Sequence, residues 1–262
     1  MKYHLSNVHP EAVIGKDVKI DSFVTIEKDV VIGDGTWIGP NAVIMNGARI
    51  GKNCKIYPGA IIAGEPQDLK FEGEYSTAEI GDNTKIHEFA TINRGTNAKG
   101  KTVIGSNCLL MSYTHVAHDC ILQDNCIMGS YAGLAGEVEV DRHAIVSPGT
   151  LVHQFVRIGA HVMIQGGSKV TKDIPPFILA GRDPLSYTGI NSVGLRRRNF
   201  TNEVIYEIQE IYRIIYQRNL NISDAVDFIE ANLPASGERD EVILFIRNSK
   251  RGIIRGYFDG NG

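Results

Sequence analysis

Two of the chain's eight histidines fall in one short segment, Leu110 to Cys120 (LMSYTHVAHDC), as His115-Val116-Ala117-His118-Asp119. Histidine is the side chain whose ordinary pKa lies near neutrality, which suits it to take and return a proton. An aspartate directly after His118 could hold the imidazole in one tautomer, as carboxylates do beside catalytic histidines. Such a base also needs a partner for the charge that develops on the electrophile, and a backbone amide supplies one. The other histidines, His4, His9, His87, His143, His153 and His161, are scattered. Taken alone, His118 has a packing or surface role as its plain alternative, so the scaffold that presents it decides.

That scaffold has a period of six. Ile14, Ile20, Ile26, Ile32, Ile38, Ile44, Ile50, Ile56 and Ile62 stand six apart; the phase resumes at Ile80, Ile86 and Ile92, then at Ile104 and Leu110, and runs on to Ile164 and Val170. Neither the helical period of about 3.6 nor the strand period of about 2 imposes this spacing. Four residues after many anchors stands a small or β-branched residue, among them Val24, Ala42, Ala48 and all four cysteines, Cys54, Cys108, Cys120 and Cys126. That position makes the cysteines small buried thiols rather than ligands, and no pair has the CxxC spacing. One large aliphatic and one small inward residue per hexad describe a flat face of a prism. Three faces make a turn, and turns stack at about 4.8 Å. Each coil covers the apolar edge of the next, so stability needs many repeats.

In such a prism Gly136 lies one turn beyond His118, and Gln154 lies two turns beyond. The imidazole is then expected roughly 5 Å, one strand spacing, from the glycine backbone. A base beside an amide suits acyl transfer: the base takes a hydroxyl proton while the N–H holds the oxyanion forming on a thioester carbon. His143 and His161, also one turn apart, are expected to stack as an exposed ladder without chemistry.

Two segments, 63–79 and 93–103, lack aliphatic anchors yet preserve the phase, and read as loops leaving the prism. Long polar loops on a rigid scaffold commonly carry function, with simple decoration as the alternative. The repeat is expected to end near Ile174-Pro175-Pro176, because paired prolines remove two ladder donors. Residues 1–180 then form the β-helix, and 181–262 a helical domain. Its first helix starts after a Thr201 cap, a second after Ser223-Asp224 and runs through Leu233, and a third spans Glu238 to Ser249. The net charge of −3 offers no basic surface for nucleic acid. No apolar run approaches the roughly 20 residues that span a bilayer, so no stable membrane insertion is expected. Met1 to Pro10 lacks the pattern of a signal peptide, which points to a cytoplasmic protein.

The segment His115 to Cys120 resembles the signature of the UDP-N-acetylglucosamine O-acyltransferases, hexapeptide-repeat acyltransferases of lipid A biosynthesis. So do Gly64-Glu65-Pro66-Gln67-Asp68-Leu69-Lys70, Val152-His153-Gln154-Phe155, His161-Val162-Met163, Ile174-Pro175-Pro176 and Gly194-Leu195-Arg196-Arg197-Arg198-Asn199-Phe200. These matches run in order over nearly the whole chain. The resemblance implies a mainly β fold, a left-handed parallel β-helix of hexapeptide repeats with a C-terminal α-helical domain; physical rules alone favour right-handed crossovers. It implies transfer of a (3-hydroxy)fatty acyl chain from acyl carrier protein to the 3-position of UDP-N-acetylglucosamine, by a homotrimer with sites between prisms and with no cofactor. His118 is then the base, Asp119 its orienter and the Gly136 amide the oxyanion donor. Gln67, Asp68, Lys70, His115, His153 and Gln154 resemble cleft residues; Asn191, Arg197 and Arg198 resemble nucleotide contacts. Gly166 stands where the family limits acyl length, and glycine would leave the groove open to a long chain.

The chain also departs from that pattern. Glu137 follows Gly136 where well-known members carry histidine, which opens a 3-amino analogue of the sugar as acceptor. Gly181-Arg182-Asp183-Pro184 diverges as well, and nothing is carried over there. A sister enzyme that acylates the 2-amine carries an extra N-terminal domain, whereas the hexads here begin almost at Met1. A β-helix carbonic anhydrase needs three converging histidines, and His115 and His118 lack an obvious third. A non-enzymatic β-helix would show outward threonine rows and plain loops.

Overall fold

The computed structural model describes residues 5–256. Residues 1–4, with His4, and 257–262 lie outside it, so the ends of both expected domains do too. Each hexad contributes one short strand, and strands three apart in sequence pair in parallel: Thr25-Ile26 beside Val43-Ile44, Lys55-Ile56 beside Lys85-Ile86, Ile121-Leu122 beside Glu139-Val140. Three sheets result among the described residues. The first face runs from Asn7–Val8 to Lys169–Val170, the second from Val13–Ile14 to Arg157–Ile158, and the third from Lys19–Ile20 to a terminal hairpin. This is the expected left-handed parallel β-helix.

The anchors line the axis. Ile26, Ile38, Ile44, Ile62, Leu110, Leu134 and Ile164 are buried to within 1%. Ile14 and Ile20 are only half-buried, in the first coil, where one apolar edge has no described coil stacked on it. The cysteines are free thiols buried among these anchors, as their repeat position implies. Most corners are turned by one residue at positive φ, for example Asn53, Asn83, Asn107 and Asn125 on the second-to-third edge and Asp119, Glu137 and Phe155 on the first-to-second edge. Asparagine and aspartate tolerate that region best among residues with a Cβ, which is why short polar residues recur there.

The loops are shorter than their lack of anchors suggests. Strands Ile61–Gly64 and Thr77–Ile80 take in both ends of the first, and Thr91–Asn93 and Lys101–Ile104 both ends of the second. Only 65–76 and 94–100 leave the prism. Backbone pairing needs no aliphatic side chain, so polar residues such as Thr77 and Lys101 extend the ladder. Both loops leave the same edge, between the first and second faces.

Beyond the prolines the prism continues. Ile178–Gly181 pairs in parallel with Met163-Ile164, then antiparallel with Ser186–Ile190, so the expected division at residue 180 falls inside a hairpin. Among the described residues four helices follow: α1 (Ser192–Arg197), α2 (Asn202–Gln217), α3 (Ile222–Asn232) and α4 (Gly237–Arg247). Thr201 caps α2 as expected. The cap of α3 is Asn221, two residues before the expected Ser223: its Oδ1 accepts from the Asp224 amide at 2.9 Å. Ser236 caps α4, and the short α1 was not anticipated, because its central Gly194 breaks the apolar rhythm. The helices are tied to the prism by the Tyr212 hydroxyl donating to the Pro176 carbonyl at 2.6 Å and by Arg142 pairing with Glu241 at 2.7 Å. Among the described residues no helix is long and apolar enough to cross a membrane.

Candidate active site

His118 follows strand His115–Val116 on the first face and sits at the edge from which both loops spring. It is 7% exposed, and each ring nitrogen faces a carboxylate. Nδ1 lies 2.8 Å from Asp119 Oδ2, and Nε2 lies 3.7 Å from Asp68 Oδ2. A carboxylate only accepts, so an Nδ1–H donates to Asp119, while Nε2, beyond hydrogen-bond distance of Asp68, faces the cleft. Asp119 is fully buried and stands at φ 60°, a corner conformation that turns its side chain back toward the ring.

Gly136 lies opposite the imidazole, as the repeat arithmetic predicts. A Cβ built on it would stand 2.5 Å from both Cε1 and Nε2 of His118. The ring therefore packs on bare backbone. The next residue, Glu137, is half-buried at φ 61° and donates its amide to the His118 carbonyl at 3.0 Å, which fixes the register of the two corners.

These groups border a cleft of about 630 Å³ lined by Gln67, Asp68, Lys70, His115, His118, Gly136 and Gln154, with Gly133 and Leu151 as its floor. That volume suits a small-molecule site. Asp68 is held by an Asx turn: Oδ1 accepts from the Lys70 amide at 3.0 Å, which leaves Oδ2 for the cleft. His115 Nδ1 lies 2.8 Å from Thr91 Oγ1, and burial pushes its pKa down by disfavouring the charged ring. The floor and Thr91 escaped sequence reasoning; the signal was their register, since Thr91, His115, Gly133 and Leu151 pair in one column.

Not every expected site residue joins this cleft. His153 is exposed, with Nδ1 3.1 Å from the Gln154 carbonyl, and lies beside the lining. Gly166 stands at the third-to-first edge, where a Cβ would meet the Pro148 carbonyl at 3.1 Å. Asn191, Arg197 and Arg198 belong to the α1 region, docked on the second-to-third edge. Asn191 is buried; it donates to the His161 carbonyl at 2.8 Å and accepts from the Gly194 amide at 3.1 Å, which caps α1. Arg198 donates to the carbonyls of Gly194 and His143 at 3.1 and 3.2 Å. Arg197 alone of the three is exposed without a bond among the described residues.

The His143–His161 ladder stacks at 4.9 Å, but the expectation that it is exposed is wrong. His161 is 4% exposed, sandwiched by Phe177 at 5.6 Å with Phe200 edge-on at 5.1 Å. The α1 segment covers it, which the hexad pattern could not foresee. Burial, with His143 and two arginines nearby, pushes its pKa down to about 3.

Comparison with known proteins gives first a class. The family model of bacterial hexapeptide transferases, six repeats, matches residues 29–64 and 101–136. A second model, UDP N-acetylglucosamine O-acyltransferase domain 2, matches residues 173–254. An acyl-[acyl-carrier-protein]–UDP-N-acetylglucosamine O-acyltransferase of Xylella fastidiosa is 43% identical over 263 residues, covering 97% of this chain and 100% of that one. One from Myxococcus xanthus is 44% identical over 197 residues, covering 75% and 76%. The crystal structure of a UDP-N-acetylglucosamine acyltransferase from Bacteroides fragilis superposes with a TM-score of 0.95 at 55% identity, covering 97% of this chain and all of that one. The chain belongs to the UDP-N-acetylglucosamine O-acyltransferase family.

Proposed function

We propose that this protein transfers a (3-hydroxy)fatty acyl chain from acyl carrier protein to the 3-hydroxyl of UDP-N-acetylglucosamine, the first step of lipid A biosynthesis, in the cytoplasm. The observation that carries the reading is His118 clamped at Nδ1 by Asp119, with Nε2 open to a 630 Å³ cleft and Gly136 beneath the ring. Nε2 takes the proton of the sugar hydroxyl as its oxygen bonds to the thioester carbon. The carbonyl oxygen becomes an oxyanion held by the Gly136 amide. The C–S bond then breaks, and the imidazolium returns its proton to the departing phosphopantetheine thiol. Asp68, Lys70 and Gln67 sit where they can meet the sugar and its diphosphate, and Gly133 and Leu151 offer apolar surface to an acyl chain.

Two sets of expected substrate contacts lie on different edges of one prism: the His118 cleft on one, Arg197 with α1 on the next. One site can use both sets only if a neighbouring copy supplies the second. This separation favours a homotrimer with sites between prisms, a closed cyclic assembly.

The test is acyl transfer from 3-hydroxyacyl–acyl carrier protein to UDP-N-acetylglucosamine, wild type beside His118→Ala. We expect product from the wild type and a loss of about 10²- to 10⁴-fold in the variant. An active wild type with an equally active variant would remove His118 from the mechanism. A wild type active only on the 3-amino sugar would change the acceptor and make Glu137 its determinant.

A further inference from the structure

Asp119 is held by the second loop. The Thr96 amide donates to Oδ1 at 3.0 Å and to Oδ2 at 3.2 Å, the Thr96 hydroxyl donates to Oδ2 at 2.7 Å, and the Lys99 amide donates to Oδ1 at 3.1 Å. The Asp119 amide in turn donates to Thr102 Oγ1 at 2.9 Å. Among the described residues no lysine or arginine lies within ion-pair distance of this buried carboxylate, whose only such partner is His118. Uncharged donors therefore do the work that a cation does elsewhere, and a buried carboxylate without them is strongly disfavoured.

The geometry at Oδ2 makes Thr96 specific. That oxygen receives both the Thr96 hydroxyl and His118 Nδ1, at 2.7 and 2.8 Å. Thr96 Oγ1 accepts from the Ala98 amide at 3.2 Å, so its own proton is directed to Asp119. The loop is anchored at two further points: the Asn97 amide on Glu74 Oε1 at 2.9 Å, and Lys99 Nζ on Glu139 at 3.0 Å. Thr96 itself is buried, so water does not readily replace its hydroxyl.

We propose that Thr96 is a positioning residue for acyl transfer: its hydroxyl and amide lock Asp119 in the rotamer that keeps the proton on His118 Nδ1 and aims Nε2 at the acceptor hydroxyl. The proposal rests on the reading of His118 as the base. Thr96 acts through Asp119 and touches no substrate. Its loss therefore lowers the fraction of correctly oriented imidazole and lowers kcat, while the cleft walls and KM stay as they are.

Steady-state kinetics on the whole protein test this with Thr96→Val, Thr96→Ser and His118→Ala. Valine keeps the shape and the amide and removes only the hydroxyl. Loss of a hydrogen bond to a charged group is expected to lower kcat about 10- to 100-fold, with KM for the sugar nucleotide within about twofold of wild type. Serine, which keeps the hydroxyl, should restore most of kcat. A Thr96→Val enzyme with wild-type kcat beside an inactive His118→Ala enzyme overturns the proposal and leaves the base reading standing. A serine variant as impaired as the valine variant also overturns it, since the methyl group would then be what counts. If His118→Ala retains wild-type kcat, the base reading falls first and Thr96 loses its role with it.

Discussion

The contact between Gly136 and His118 gives a sharp prediction, because alanine there retains the amide to which the proposed mechanism assigns the oxyanion. Gly136 does not have the positive φ that would strain an alanine backbone. The added methyl would stand 2.5 Å from Cε1 and Nε2 of His118. Normal contact is roughly 3.5 Å, so the ring must retreat by about 1 Å. The Asp119 hydrogen bond at 2.8 Å resists rotation about Nδ1, so the displacement falls on Nε2, the atom proposed to take the proton. A misplacement of that size costs about 100-fold in rate. We therefore expect Gly136→Ala to lose about two orders of magnitude in kcat in the acyl-carrier-protein assay, with a melting temperature near that of wild type. Wild-type kcat in a folded Gly136→Ala protein would refute the idea that the ring is held against bare backbone during catalysis.

Two further outcomes follow from particular residues. His161 has its pKa depressed from 6.5 to about 3, so the unfolded chain binds a proton that the folded chain refuses. The stability this confers is present above pH 6.5 and is lost as pH falls toward 3, at up to about 1.4 kcal/mol per pH unit. His161→Phe, which continues the Phe177 stack and removes the unpaired buried Nδ1, should flatten the fall in melting temperature between neutral pH and about pH 5; an unchanged fall would show that other groups govern acid lability. Gly166→Met places side-chain bulk where a Cβ already meets the Pro148 carbonyl at 3.1 Å, and turnover across donors of different length should shift toward shorter chains. The same length profile in variant and wild type would refute the expectation that Gly166 borders the acyl chain.

The prism is written in the spacing of the aliphatic residues. A hexad of aliphatic anchors can bury its side chains only by coiling on itself, so the strand phase, the cysteine burial and the placing of Gly136 opposite His118 follow from counting. The same count failed where residues act through backbone. Polar stretches beside Gly64 and Lys101 extend the ladder because hydrogen-bonded pairing is indifferent to side-chain polarity. What covers the prism depends on packing between distant segments, and the folded structure supplies it. It placed α1 over His161, burying one member of the expected exposed ladder and engaging Asn191 and Arg198 in its own packing. It also folded 94–100 down on Asp119, because that loop stretches its coil so that Thr91, rather than a residue a regular turn back, pairs with His115. Thr96 is thereby delivered to Asp119 across a turn of irregular length. No period in the sequence records such a contact, since it depends on where a loop without anchors comes to rest, and that is settled by buried donors seeking a buried carboxylate.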